Sequence, residues 1–179
     1  MGLIATIDVV AAHACWNKIC PQAEGLARDA AELALLRGSA TSGRRWRGPV
    51  ELGIILTNAV EQRRLNRDYR GHDMSTNVLA FPAWEPTVQL PAGVPILLGD
   101  VVLACETVAL EAVEQDKPVA DHLMHLVVHG VLHLLGYDHS TQAEAAEMEA
   151  LETAILASLG VSDPYCDTMS LVKPEPGKS

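Results

Sequence analysis

Four runs of the chain are apolar and rich in strand-forming residues: Ile4–Val10, Val50–Thr57, Thr76–Phe81 and Ile96–Ala104. They predict four strands. Gly99-Asp100 falls inside the fourth, where a glycine marks a bulge or a close backbone approach. Between and after these runs the period changes. Trp16–Leu36 carries apolar residues at helical intervals and predicts one long helix, followed by a loop over Gly38–Gly48, GSATSGRRWRG. Asn58 with Glu61 three residues on predicts a capped helix running to about Arg67. Glu106–Gln115 reads as a helix. Pro118 suits the first turn of another helix, which reaches about Leu135. Thr141 and Glu144 form a capping-box pattern for a last helix ending near Gly160. Pro82–Pro95 holds four prolines and reads as an irregular loop. The expectation is an α+β fold in a single domain over residues 1–172, with a small mixed four-stranded sheet flanked by about five helices. The last residues, 173–179, read as a disordered tail.

Composition adds three things. No apolar run reaches a membrane-spanning length, and the first residues have no basic leader, so a soluble cytoplasmic protein is expected, with no membrane partner. Gly2 and Thr6 fit a short N-myristoylation pattern, but Ile4–Val9 reads better as buried strand. Cys15, Cys20, Cys105 and Cys166 show no paired spacing and are expected to be buried free thiols. The net charge of −10 argues at first against a nucleic-acid partner. Its distribution is uneven. Residues 1–70 hold 10 Lys+Arg against 7 Asp+Glu, a balance of +3, and residues 71–179 hold 3 against 16, a balance of −13. Arg44, Arg45, Arg47, Arg63, Arg64, Arg67 and Arg70 gather in the first part, as a polyanion-receiving surface or as solvated faces.

The densest chemistry is in His129–His139, HGVLHLLGYDH. His129 and His133 are four apart and share a helix face. His139 would point elsewhere on a continued helix. A left-handed cap at Gly136 would end the helix and let Tyr137-Asp138 carry His139 back to the first two. The spacing is that of the metzincin metal ligands, with Gly130 where the catalytic glutamate would stand. Three histidines leave the fourth tetrahedral position open, as in catalytic zinc sites, where bound water ionises near a pKa of about 7. His122 and His125 read as supporting groups, nucleic-acid contacts or ordinary polar residues. Asp138 can cap the turn, orient an imidazole or act as a base.

HGVLHLLGYDH, together with Asn66–Asp73 (NRDYRGHD), Ser75–Pro82 (STNVLAFP) and Leu98-Gly99-Asp100, resembles the YbeY family of bacterial zinc endoribonucleases, also described as ribosomal RNA maturation factors. The similarity runs over roughly residues 50–165, through Glu147–Glu152 and Asp163-Pro164-Tyr165. It implies one Zn2+ on His129, His133 and His139, and single-strand-directed cleavage of ribosomal RNA. The implied setting is 3′-end maturation of the small-subunit (16S) rRNA and ribosome quality control, with the small subunit and its proteins as partners and no DNA substrate. The family's functional arginine falls on Arg70. Ala80 departs from the serine common in the family's strand, which removes no ligand. The Arg44–Arg47 loop belongs to no family motif.

A peptidase needs a carboxylate at position 130 to move protons, and Gly130 cannot serve. Phosphodiester cleavage gathers negative charge on oxygen, which a metal and a guanidinium fork can stabilise. The residues alone favour the plainer reading of Arg70 as a surface arginine paired with Asp68 or Asp73; the resemblance implies that it is the catalytic residue. Two rivals stand beside the nuclease: a metzincin-like metalloprotease, and a non-catalytic ribosome-assembly protein with structural zinc.

Overall fold

The structure is a computed structural model and describes residues 2–166. The tail expected at 173–179 lies outside the described residues. Strands β1 (Ala5–Ala11), β2 (Val50–Thr57), β3 (Val78–Pro82) and β4 (Ile96–Ala104) form one sheet in the order β1-β2-β4-β3. β1 and β4 run parallel to β2, and β3 runs antiparallel to β4. The mixed sheet is as expected. The bulge at Gly99 is real: the β2–β4 register slips between Glu51 and Leu52, and Gly99 takes φ +135°. A Cβ there would lie 2.2 Å from the Phe81 carbonyl oxygen, so only glycine lets β3 close on β4.

The helices are α1 (Cys15–Ile19), α2 (Ala23–Thr41), α3 (Ala59–Arg70), α4 (Cys105–Glu114), α5 (Val119–Leu134) and α6 (Gln142–Ser158). Among the described residues six replace the expected five because the first long helix is broken. Cys20 precedes Pro21, whose ring disfavours helical backbone in the residue before it, and Cys20 sits at φ −155°, ψ 85°. The loop expected from Gly38 begins only after Thr41. Gly38 is a helix crossing. A Cβ there would meet Leu135 Cδ1 at 2.6 Å and Leu132 Cδ2 at 2.9 Å, so its bare backbone lets α2 lie directly on α5.

The cysteine expectation also needs correcting. α1 packs by the start of α4, and Cys15 and Cys105 are joined as a disulfide with Cα atoms 6.5 Å apart. Cys20 is a buried free thiol and Cys166 is exposed.

α5 is the central element. Leu123, Val127, Val128, Val131 and Leu132 are fully buried between the sheet, α2, α4 and α6. Burying side chains of this size contributes about 1.5–3 kcal/mol each, which is what holds a helix with so many polar histidines in the interior. No helix among the described residues is long and apolar enough to cross a membrane.

Candidate metal centre

His129 and His133 lie on one side of α5, and the turn after it delivers His139. The helix ends in a Schellman motif. The Gly136 N–H donates to the His133 carbonyl and the Tyr137 N–H to the Leu132 carbonyl, both at 3.0 Å, with Gly136 at φ +94°. The Tyr137 hydroxyl donates to the Gly38 carbonyl at 2.8 Å and pins the turn to α2. Asp138 accepts from the His139 N–H at 2.8 Å and from the Ser140 hydroxyl at 2.6 Å. Its carboxylate therefore serves the turn, and these bonds hold its pKa below the ordinary range. One nitrogen from each of His129, His133 and His139 lies within 4.8 Å of the other two, so the three can hold a metal ion together.

The tautomers are set from behind. His129 Nδ1 is 2.6 Å from Glu152 Oε1, and His133 Nδ1 is 2.9 Å from the Tyr137 carbonyl oxygen. Both partners are acceptors, so both Nδ1 atoms carry the proton and both Nε2 atoms present lone pairs. Those Nε2 atoms face each other at 3.0 Å. Two lone pairs that close repel unless a cation lies between them. Ligands at about 2.0–2.1 Å on a tetrahedral zinc stand roughly 3.3 Å apart, so the pair fits that ion closely. Burial, then the nearby His129 and His139, keep the His133 imidazole below its usual pKa, so it is neutral and ready to bind a metal at neutral pH.

Glu152 was not picked out as a site residue by sequence reasoning. It is fully buried on α6. Burial alone pushes its pKa up. Hydrogen bonds from His125, His129 and the Tyr165 hydroxyl together outweigh that and bring it down to about 2. His125 Nε2 is 3.2 Å from Glu152 Oε2, so His125 supports the same carboxylate that orients His129. His122 stands apart, with Nε2 2.6 Å from Glu111 Oε2, which Asn77 also contacts.

Gly130 faces the sheet. A Cβ on it would lie 2.6 Å from Val101 Cγ1 and 3.4 Å from Val78 Cγ2. The glutamate of the protease motif is thus missing where α5 needs a bare backbone to sit on β4 and β3.

Arg70 is the last residue of α3, which runs three residues past its expected end and stops at left-handed Gly71, φ 73°. The capping expected at Asn58 is present, its side chain accepting from the Glu61 N–H at 2.8 Å. The Arg70 guanidinium carbon is 5.9 Å from the Phe81 ring centre on β3. A Cβ on Gly99 would lie 2.2 Å from Phe81 O and 3.0 Å from Cδ2 of Leu134, the residue after His133 in the chain. The expected alternative pairing is taken by others. Asp68 binds Arg64 and Arg67, Asp73 binds Arg63 and Arg67, and among the described residues Arg70 has no ion pair.

A mixed sheet crossed by one buried helix that ends in a three-histidine turn defines a class of α+β proteins with a histidine cluster able to hold a metal ion. The model of the family described as Endoribonuclease YbeY matches residues 23–160, and the chain belongs to that family. Endoribonuclease YbeY of Paramagnetospirillum magneticum is 48% identical over 166 residues, covering 91% of this chain and 98% of that protein. The Rhodospirillum rubrum protein of the same name is 47% identical over 163 residues, covering 90% of this chain and 82% of that one. In fold, the chain is similar to the solution structure of TM1509 from Thermotoga maritima, with a TM-score of 0.54 and 22% identity over 97% of this chain and all of that one.

Proposed function

We propose that this protein is a zinc-dependent endoribonuclease that cuts single-stranded RNA in the cytoplasm, in 3′-end maturation of small-subunit ribosomal RNA and in ribosome quality control. The observation that carries the metal chemistry is the facing pair of Nε2 lone pairs on His129 and His133, each fixed by a hydrogen bond at Nδ1. Family membership carries the substrate class. His139, exposed on its turn, would be the third residue to hold the ion, and three protein ligands would leave a fourth tetrahedral position for substrate. When bound, zinc supplies Lewis-acid stabilisation of phosphoryl oxygen and a low-pKa water.

The chain's own residues do the rest. Glu152 and the Tyr137 carbonyl hold the two imidazoles in register. The Arg70 fork, which has no ion pair among the described residues, binds the non-bridging oxygens and stabilises the charge that develops on them. Gly130, where the protease glutamate would stand, is committed to Val101, and Glu152 is committed to Nδ1 of His129, on the side away from the facing Nε2 atoms. That argues against the metalloprotease. Cleavage of a precursor fragment of 16S rRNA by zinc-loaded protein, beside metal-stripped protein and His139→Ala, tests the reading. Cleavage in the first alone supports it. Full zinc content with ribosome association but no cut RNA favours a structural zinc instead, and turnover of a peptide library without RNA cleavage favours the protease.

A further inference from the structure

Two arginine groups occupy the first 70 residues, and the fold treats them differently. Arg63, Arg64 and Arg67 on α3 are neutralised by Glu61, Asp68 and Asp73. Arg44, Arg45 and Arg47 have no ion pair among the described residues. Within that loop the side chains alternate: Arg44 and Trp46 are half-buried, and Arg45 and Arg47 are exposed. The Arg44 guanidinium carbon lies 4.5 Å from the Trp84 ring centre and 5.4 Å from that of Trp46, and the two rings are 5.3 Å apart. The Trp46 indole N–H donates to Ser39 Oγ at 3.0 Å. The Arg47 carbonyl accepts from the Gly93 N–H at 2.7 Å, and Gly48 packs so closely on Val94 that a Cβ would lie 2.1 Å from its carbonyl oxygen. The inward residues thus anchor the loop, and the outward guanidiniums ride on a backbone already fixed. A ligand binding there loses little affinity to loop ordering.

The loop also lies beside the metal centre's turn. Arg44 lines a cavity of about 280 Å³ together with Gly136, Tyr137 and Asp138, the residues that lead into His139. Glu144 and Glu147 line the same cavity and repel phosphate, so the cationic groups open to a polyanionic strand here are Arg45 and Arg47, exposed on either side of Trp46 in the chain. On a chain of net charge −10, a cationic strip on a fixed backbone, with no ion pair among the described residues, is explained better by a polyanion than by solvent.

We propose that Arg45 and Arg47, held outward by the Arg44–Trp46–Trp84 stack beside the His139 turn, dock the phosphates of single-stranded RNA flanking the bond that is cut. This rests on the RNA-cleaving reading above. The test is fluorescence anisotropy of a labelled single-stranded fragment of ribosomal RNA with the full zinc-loaded chain over a salt series. Wild type is compared with Arg45→Gln/Arg47→Gln, Arg45→Lys/Arg47→Lys and Arg63→Gln/Arg67→Gln. Each phosphate contact on a single strand contributes about 0.7 to the slope of log affinity against log salt. The Gln pair should flatten that slope by about 1.4 and raise KM, with kcat little changed and zinc content and melting temperature intact. The Lys pair should restore the slope, and the α3 pair should leave it near wild type. Equal slopes and affinities for wild type and the Gln pair overturn the docking surface and leave an acidic protein or solvent as what the strip meets. If wild type itself binds no RNA at low salt, the RNA reading fails and takes this inference with it, a result distinct from the former.

Discussion

Glu152, fully buried on α6, holds its Oε1 2.6 Å from Nδ1 of His129 on α5, 23 residues away in sequence. The Nε2 lone pair that His129 turns toward His133 is therefore set by another helix. Partners of this kind typically account for 10–100-fold in metal affinity. Glu152→Gln keeps the shape and one acceptor but loses the charge. Zinc affinity from competition with a chelator should fall by about tenfold or more, with helix content preserved. Unchanged affinity would mean that Glu152 serves only packing.

Gly130 is a packing residue. Gly130→Ala gains up to about 1 kcal/mol of helix propensity but drives a methyl group against Val101, a stiff β-branched side chain, and overpacking costs about 1–3 kcal/mol. A net loss of up to about 2 kcal/mol in denaturant melts is expected. Gly130→Glu should be more destabilising and should not create peptidase activity. A stabilised alanine variant would contradict the close approach.

His122 should make the metal-free protein acid-sensitive. Burial, more than the opposing hydrogen bond to Glu111, holds its pKa below the usual value, with Lys117 and His125 adding to the depression and the Glu111 charge opposing it. The folded state keeps this imidazole neutral, whereas the unfolded chain takes up a proton below about pH 6.5. Its stability contribution is thus full above that pH and is lost as pH falls through it, by up to about 1.4 kcal/mol per pH unit. His122→Gln cannot titrate. Relative to wild type it should gain stability between about pH 7.5 and about pH 5.5, on either side of that value. A stability gap independent of pH would remove His122 from the acid response.

What the sequence disclosed follows the range of the interactions. The strands, the two capped helices and the histidine turn depend on near neighbours, so spacing revealed them. Gly38 and Gly130 looked like a helix stop and a missing base, because a glycine's local meaning is the same whether it ends a helix or admits a neighbouring element. The Cys15–Cys105 pairing spans 90 residues and left no local trace. Pro21 was legible as a break, but the apolar period continued across it and outweighed it. Glu152 did leave a signal: it sits in the buried stripe of α6 with Met148, Ile155 and Leu156, where a carboxylate is out of place unless something pairs with it.

Arg70 carries the central claim that charge stabilisation replaces the protease base. It is exposed, at the end of α3 and free of ion pairs among the described residues, so removing it should leave folding and zinc content intact. Loss of one preorganised donor typically costs about 3–4 kcal/mol in the transition state, or roughly 10²–10³ in rate. Arg70→Lys should recover only part, because an ammonium keeps the charge without the fork. The direct measurement is the single-turnover rate of ribosomal RNA cleavage by zinc-replete Arg70→Ala. A fall of roughly a hundredfold or more, with an unchanged melt, is expected. A wild-type rate would contradict the claim and return the cationic role to Arg67, Arg64 or His72.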